Sequence, residues 1–102
     1  MKQDDLVLAG PRGLITVPGA ALAATVLRAA ERISGARPHR PRRGVGVELE
    51  EGRALVRVEL AARLGEPLPG LGRSVQAAVA EALALMFALE TRVDVTIEEV
   101  EH

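Results

Sequence analysis

Apolar residues recur along this chain in two rhythms, and each rhythm marks a kind of element. Leu22, Val26, Ala29 and Ile33 return at the spacing of one helical face. The pattern predicts a helix over residues 18–34. Pro18 suits its first turn, where a missing N–H is not needed, and Gly35 suits its stop. Arg28, Glu31 and Arg32 fall off the apolar face and are expected in water. The second rhythm has a period of two. Val45, Val47 and Leu49 alternate with small or polar residues, and after Glu51-Gly52 the alternation resumes at Ala54, Val56, Val58, Leu60, Ala62 and Leu64. A two-residue turn at Glu51-Gly52, with glycine second as a type I′ turn prefers, predicts a hairpin. Its register pairs Glu50 with Arg53, Leu49 with Ala54, Val47 with Val56 and Val45 with Val58. The three apolar pairs then share one face, and a slip of one residue would destroy that match.

Around these elements the pattern is shorter. Leu14-Ile15-Thr16-Val17 reads as a short strand. Residues 1–12 read as a flexible tail closed by Gly10-Pro11-Arg12-Gly13, with Leu6-Val7-Leu8 a candidate edge strand. The segment from Ala36 to Arg43, with two prolines and four arginines, reads as a loop, as does Gly65-Glu66-Pro67-Leu68-Pro69-Gly70. A second helix is expected over 71–89, and a last strand where Val93, Val95 and Ile97 alternate with Asp94, Thr96 and Glu98. The order strand-helix-strand-strand-helix-strand predicts an α+β single domain over 13–100. The expected arrangement is the split β-α-β, a four-stranded sheet with two helices on one face. The other sheet face would carry Glu48, Glu50, Arg53, Arg57, Glu59, Arg63, Asp94 and Glu98, a mixed-charge solvated surface.

Composition narrows the function. The 102 residues make one domain, and there is no Cys, so disulfides, thiolate metal sites and Cys nucleophiles are excluded. Phe87 is the only aromatic residue. A formal net charge of −1 gives no global field toward nucleic acid or anionic lipid. Twelve arginines against one lysine suggest a GC-rich bacterial genome. The N-terminus has no apolar stretch of signal-peptide type. The longest apolar run, Ala82 to Leu89, falls well short of the roughly 20 residues that span a bilayer. A cytoplasmic protein is expected, with any association at a membrane running through a partner.

No enzyme is expected. His39 and His102 sit in a Pro/Arg loop and at the end of the sequence, where nothing positions a general base. Ser34 and Ser74 lack a nucleophile-elbow context. Two histidines without cysteine do not make a structural zinc site, and no cofactor is implied. Gly10-Pro11-Arg12-Gly13 has the Gly-x-x-Gly spacing of KH loops but precedes a strand, so a turn is the better reading. Gly44-Val45-Gly46 opens a strand and is no dinucleotide fingerprint.

Two surfaces remain as candidates. Arg37, Arg40, Arg42 and Arg43 form the one local charge cluster. It is either a solvated loop or a contact for an acidic partner or phosphate. On the second helix, large apolar residues cover a broad arc and the narrower side holds Ala77, Ala80, Ala84 and Ala88. Alanines there either lie harmlessly outside a core helix or let another subunit approach closely.

Ordered blocks carry a resemblance. Gly13-Leu14-Ile15-Thr16-Val17 leads into an Ala-rich helix ending Ile33-Ser34-Gly35. The hairpin from Gly44 to Leu60 follows, then the loop from Gly65 to Pro69, Val75-Gln76 within a helix, and Val93-Asp94-Val95-Thr96-Ile97. Together they resemble the alkaline shock protein family, across about residues 13 to 100. Pro18 departs from the family's usual polar helix cap, and the Arg/Pro-rich loop after Gly35 departs from its apolar and Gly residues. The resemblance implies a bacterial cytoplasmic protein without catalytic residues, tied to cell-envelope stress. Such proteins self-assemble and bind a protein partner, in some cases a membrane-anchored one. A nucleic-acid-binding module using the Arg loop, and an accessory subunit of an enzyme encoded elsewhere, are the competing readings.

Overall fold

A computed structural model describes the chain except residues 34–35, 39–43, 64, 66 and 101–102. The elements are β1 (Leu6–Gly10), β2 (Gly13–Val17), α1 (Gly19–Glu31), β3 (Arg37–Pro38), β4 (Val45–Glu50), β5 (Arg53–Arg63), α2 (Leu68–Phe87) and β6 (Glu90–Val100). The α+β class and the two helices on one face of a four-stranded sheet stand, but the fourth strand is β3, from the segment read as a loop, and not the predicted strand at Leu14–Val17.

The predicted hairpin forms in the predicted register: Val45, Val47, Leu49 and Glu50 of β4 face Val58, Val56, Ala54 and Arg53 of β5. Ala54, Val56, Val58, Leu60 and Ala62 are buried along one face of β5, and the intervening residues reach the solvated face. The turn differs in detail. Gly52 has φ +69°, while Glu51 has no positive φ, so the φ signs are those of type II and not type I′.

The strand β5 is the axis of the sheet. On one side it pairs antiparallel with β4 and, further along, with the two-residue β3. On the other it pairs in parallel with β6 over its whole length, Arg53 beside Glu90 to Arg63 beside Val100. The helix α2 makes the crossover that a parallel pair requires. A split β-α-β unit would place the first strand between β5 and β6. Here β2 is not in this sheet at all, and β5 and β6 lie side by side. The strand β2 pairs with β1 instead, in a separate two-stranded ribbon.

Both helices bury the faces their spacing marked. Leu22, Ala23, Val26, Ala29 and Ala30 of α1 and Leu71, Val75, Val79 and Leu83 of α2 are buried against each other and the sheet. The helix α2 begins three residues before its predicted start. Pro69 fits because the first-turn N–H groups have no partner within the helix. It ends at Ala88, whose φ of 54° is left-handed.

Residues 1–12 are not a free tail. The Asp4 N–H donates to the Val47 carbonyl (2.9 Å), and the Val47 N–H donates to the Lys2 carbonyl (2.8 Å). The Gln3 side-chain amide donates to the Val45 carbonyl (3.0 Å), and the Leu49 N–H to Asp4 Oδ2 (2.9 Å). These four bonds cover the outer edge of β4, which would otherwise present open backbone groups. Asp5 then accepts from the Gly19 N–H at 2.7 Å. Pro18 offers α1 no side-chain cap; the carboxylate arrives from the N-terminal segment and does the capping residue's work. No local pattern shows this, because Asp5 and Gly19 meet only after β1 and β2 have folded back.

Candidate interaction surface

The N-terminal ribbon has the chemistry of a buried element without the burial. In its register Leu6 faces Val17, Val7 faces Thr16, Leu8 faces Ile15 and Ala9 faces Leu14. Cross-strand partners share a face, so Leu6, Leu8, Ile15 and Val17 lie on one side and Val7 and Leu14 on the other. Leu6 is buried and Val17 is half-buried, which roots the ribbon in the core. Beyond that root both faces are apolar and open: Val7, Leu8 and Ile15 are exposed, and Leu14 is 77% exposed. Neither strand carries a charged residue. Among the described residues no backbone hydrogen bond joins the outer edge of either strand to the rest of the chain. The tip is Pro11-Arg12, closed by Gly13 at φ +134°, a conformation that favours glycine. The Gly-x-x-Gly spacing is therefore a hairpin turn.

A second apolar display sits at the same end of the molecule. The N-terminal segment runs parallel to β4 toward the β4–β5 turn, and the ribbon follows it in the chain. The helix α2 also finishes at that turn, where the Glu90 N–H donates to the Gly52 carbonyl at 3.2 Å. Leu85 and Met86, in the last turn of α2, are 79% and 62% exposed. Leu85 points off the core-facing arc. Met86 lies on that arc, but at the helix end its exposure shows no neighbour covering it.

The alanines of α2 divide. Ala77, Ala84 and Ala88 are exposed, whereas Ala80 is half-buried and packs against the core. Ala77 and Ala80 line a shallow groove between α2 and β6 with Arg73, Gln76, Thr91 and Arg92. Gln76 reaches across it and donates to the Val93 carbonyl at 3.0 Å. The four alanines are thus not one uniform face, and the largest apolar groups nearby are Leu85 and Met86, not alanines.

Of the arginine cluster, Arg37 lies in β3, where its backbone pairs with Ala61. Arg40, Arg42 and Arg43 lie outside the described residues, as do Ser34, His39 and His102. Ser74 is exposed on α2. The outer face of the sheet carries the expected mixture of charges. It carries exposed ion pairs, among them Arg53 with Glu90 at 3.8 Å and Arg92 with Asp94 at 3.2 Å, of a kind that adds little stability. Among the described residues no three His, Asp or Glu side chains come together as a metal site, and no helix is long and apolar enough to cross a membrane.

The ribbon's display was missed in the sequence because Leu6-Val7-Leu8 and Leu14-Ile15 alternate too briefly to show a face. The usable signal was the pairing of two uncharged apolar runs about Gly-Pro-Arg-Gly.

No family model and no curated protein matches the chain. Among solved structures it is similar to the MamM-CTD in a doubly substituted form, with a TM-score of 0.53 and 17% sequence identity. The match covers 81% of this chain and 95% of that one. At this identity the likeness is one of fold alone.

Proposed function

We propose that this chain is a non-catalytic interaction protein, acting through self-association and a protein partner. The observation that supports it is the exposure of Val7, Leu8, Leu14 and Ile15 on the N-terminal ribbon and of Leu85 and Met86 in the last turn of α2, two elements rooted toward the same end of the sheet. Large apolar groups gathered on a surface mark contact sites, whereas single scattered ones carry no such meaning. The ordered sequence blocks add the setting: a scaffold of the alkaline shock type in bacterial envelope-stress homeostasis, cytoplasmic and held near the membrane by an anchored partner.

The test is affinity capture of the full chain from its host, comparing wild type with a Leu14→Glu, Met86→Glu double variant. Proteins recovered by wild type and lost with the variant are the expected result. Identical recovery with both would overturn the reading. So would recovery of nucleic acid alone in a form that falls steeply with added salt, the signature of phosphate contacts.

A further inference from the structure

We infer that the occupant of this apolar end is a second copy of the chain. The two copies would exchange their β1–β2 ribbons in a two-fold dimer. The inference rests on the interaction reading above and names the partner at that surface.

Three observations carry it. First, a two-stranded ribbon is marginal in water on its own and needs further strands or a packed face. This one has two open edges, two apolar faces and no charge along either strand to keep other chains away. A flat partner would cover one face only. A reciprocal exchange covers both, one against the other copy's α2 end and one against the other ribbon.

Second, the molecule carries both halves of a self-complementary contact at one end. The ribbon projects, and Leu85 and Met86 at the end of α2 offer an apolar seat. A two-fold interface requires this, since each copy must both present and receive the same pair of patches. The long axis of the molecule, 51 Å against 21 and 19 Å, fits a body with a projecting element.

Third, the area suffices. An open-chain Val, Leu or Met exposes roughly 150–200 Å². At the exposures found, the six side chains therefore present roughly 600–700 Å² per copy. Complete coverage of these residues in two copies would bury roughly 1,200–1,400 Å², which reaches the lower part of the range of stable specific interfaces.

The test is light scattering on the purified full chain over a wide concentration range, for wild type, Leu14→Glu, Leu85→Glu and Ala77→Glu. Leu14 and Leu85 are exposed, so circular dichroism and thermal melting of the variants should show an intact fold. The expected result is that wild type has the mass of two chains. Leu14→Glu and Leu85→Glu should each fall to the mass of one, and Ala77→Glu, on the same helix but away from this end, should stay dimeric. A wild-type mass of one chain at every concentration would overturn the inference. Surface-dependent capture of a host protein in that case would leave the interaction reading standing. A dimer that survives both Glu variants, or one that only Ala77→Glu breaks, would also overturn it.

Discussion

Replacing Gly19 with alanine sets two physical arguments against each other. Gly19 opens α1, and alanine is the better helix former by about 0.5–1 kcal/mol. Local propensity therefore predicts a small gain. The fold predicts a loss. A Cβ at Gly19 would overlap the Gln3 carbonyl oxygen and lie 2.6 Å from the Gln3 carbonyl carbon and 2.8 Å from the Asp4 oxygen. These are backbone atoms with no rotamer to yield, so the N-terminal segment must move. Moving it breaks the four hydrogen bonds that cover the β4 edge and the Asp5 cap on Gly19 itself. At about 0.5–1.5 kcal/mol net for each of these five bonds, less the gain in helix propensity, Gly19→Ala should cost about 2–6 kcal/mol. Urea unfolding reads this as a fall of at least roughly 1 M in midpoint, given a slope of roughly 1–2 kcal/mol/M for a chain this size. Hydrogen exchange should show faster exchange at the Val47 and Leu49 amides, which the segment protects. A midpoint that is unchanged or raised, with both amides still protected, would refute the packing of the N-terminal segment.

Other substitutions probe separate parts of the fold. Asp5→Ala removes the carboxylate on the α1 N-terminus and should cost about 0.5–2 kcal/mol in the same denaturant measurement. Ala88→Gly relieves a left-handed residue at the end of α2 and should raise the melting temperature by the equivalent of about 0.4–1 kcal/mol. Leu83 is fully buried, and Leu83→Ala should cost about 2–5 kcal/mol through lost burial and the cavity left behind.

The β4–β5 hairpin was legible to the residue, because a period of two, a glycine-containing turn and one buried face together leave a single register. The core faces of α1 and α2 were legible for the same reason at a period near four. What the pattern missed was non-local. The pairing of residues 2–4 with β4 carries no hydrophobic signal, since it is made of backbone groups and the polar side chains of Gln3 and Asp4. The place of β2 was mispredicted because Leu14-Ile15-Thr16-Val17 has the residues of a sheet strand, and nothing in its sequence distinguishes a sheet partner from β1. The alanines of α2 marked the solvent side correctly at Ala77, Ala84 and Ala88. Leu85 and Met86 carry no such mark, because their exposure depends on where the core ends along the helix.

These non-local ties bear directly on the apolar end. The ribbon is held at both strands: β1 leaves a segment hydrogen-bonded along β4, with Leu6 buried, and β2 enters α1 through Val17 and Pro18. Asp5 binds these two roots together through the Gly19 amide. An element anchored in this way loses less conformational freedom on docking than a loose tail would, so more of the contact energy remains as affinity. The same argument links stability to association. Gly19→Ala and Asp5→Ala lie outside the apolar surface, yet by loosening the ribbon's root they should weaken a dimer built on it. Dilution followed by light scattering would show the dissociation constant of Asp5→Ala rising several-fold while Leu60→Ala, a core substitution toward the far end of β5, leaves it unchanged under conditions where both variants are folded. Equal constants for Asp5→Ala and wild type would mean that the ribbon's anchoring does not contribute to association.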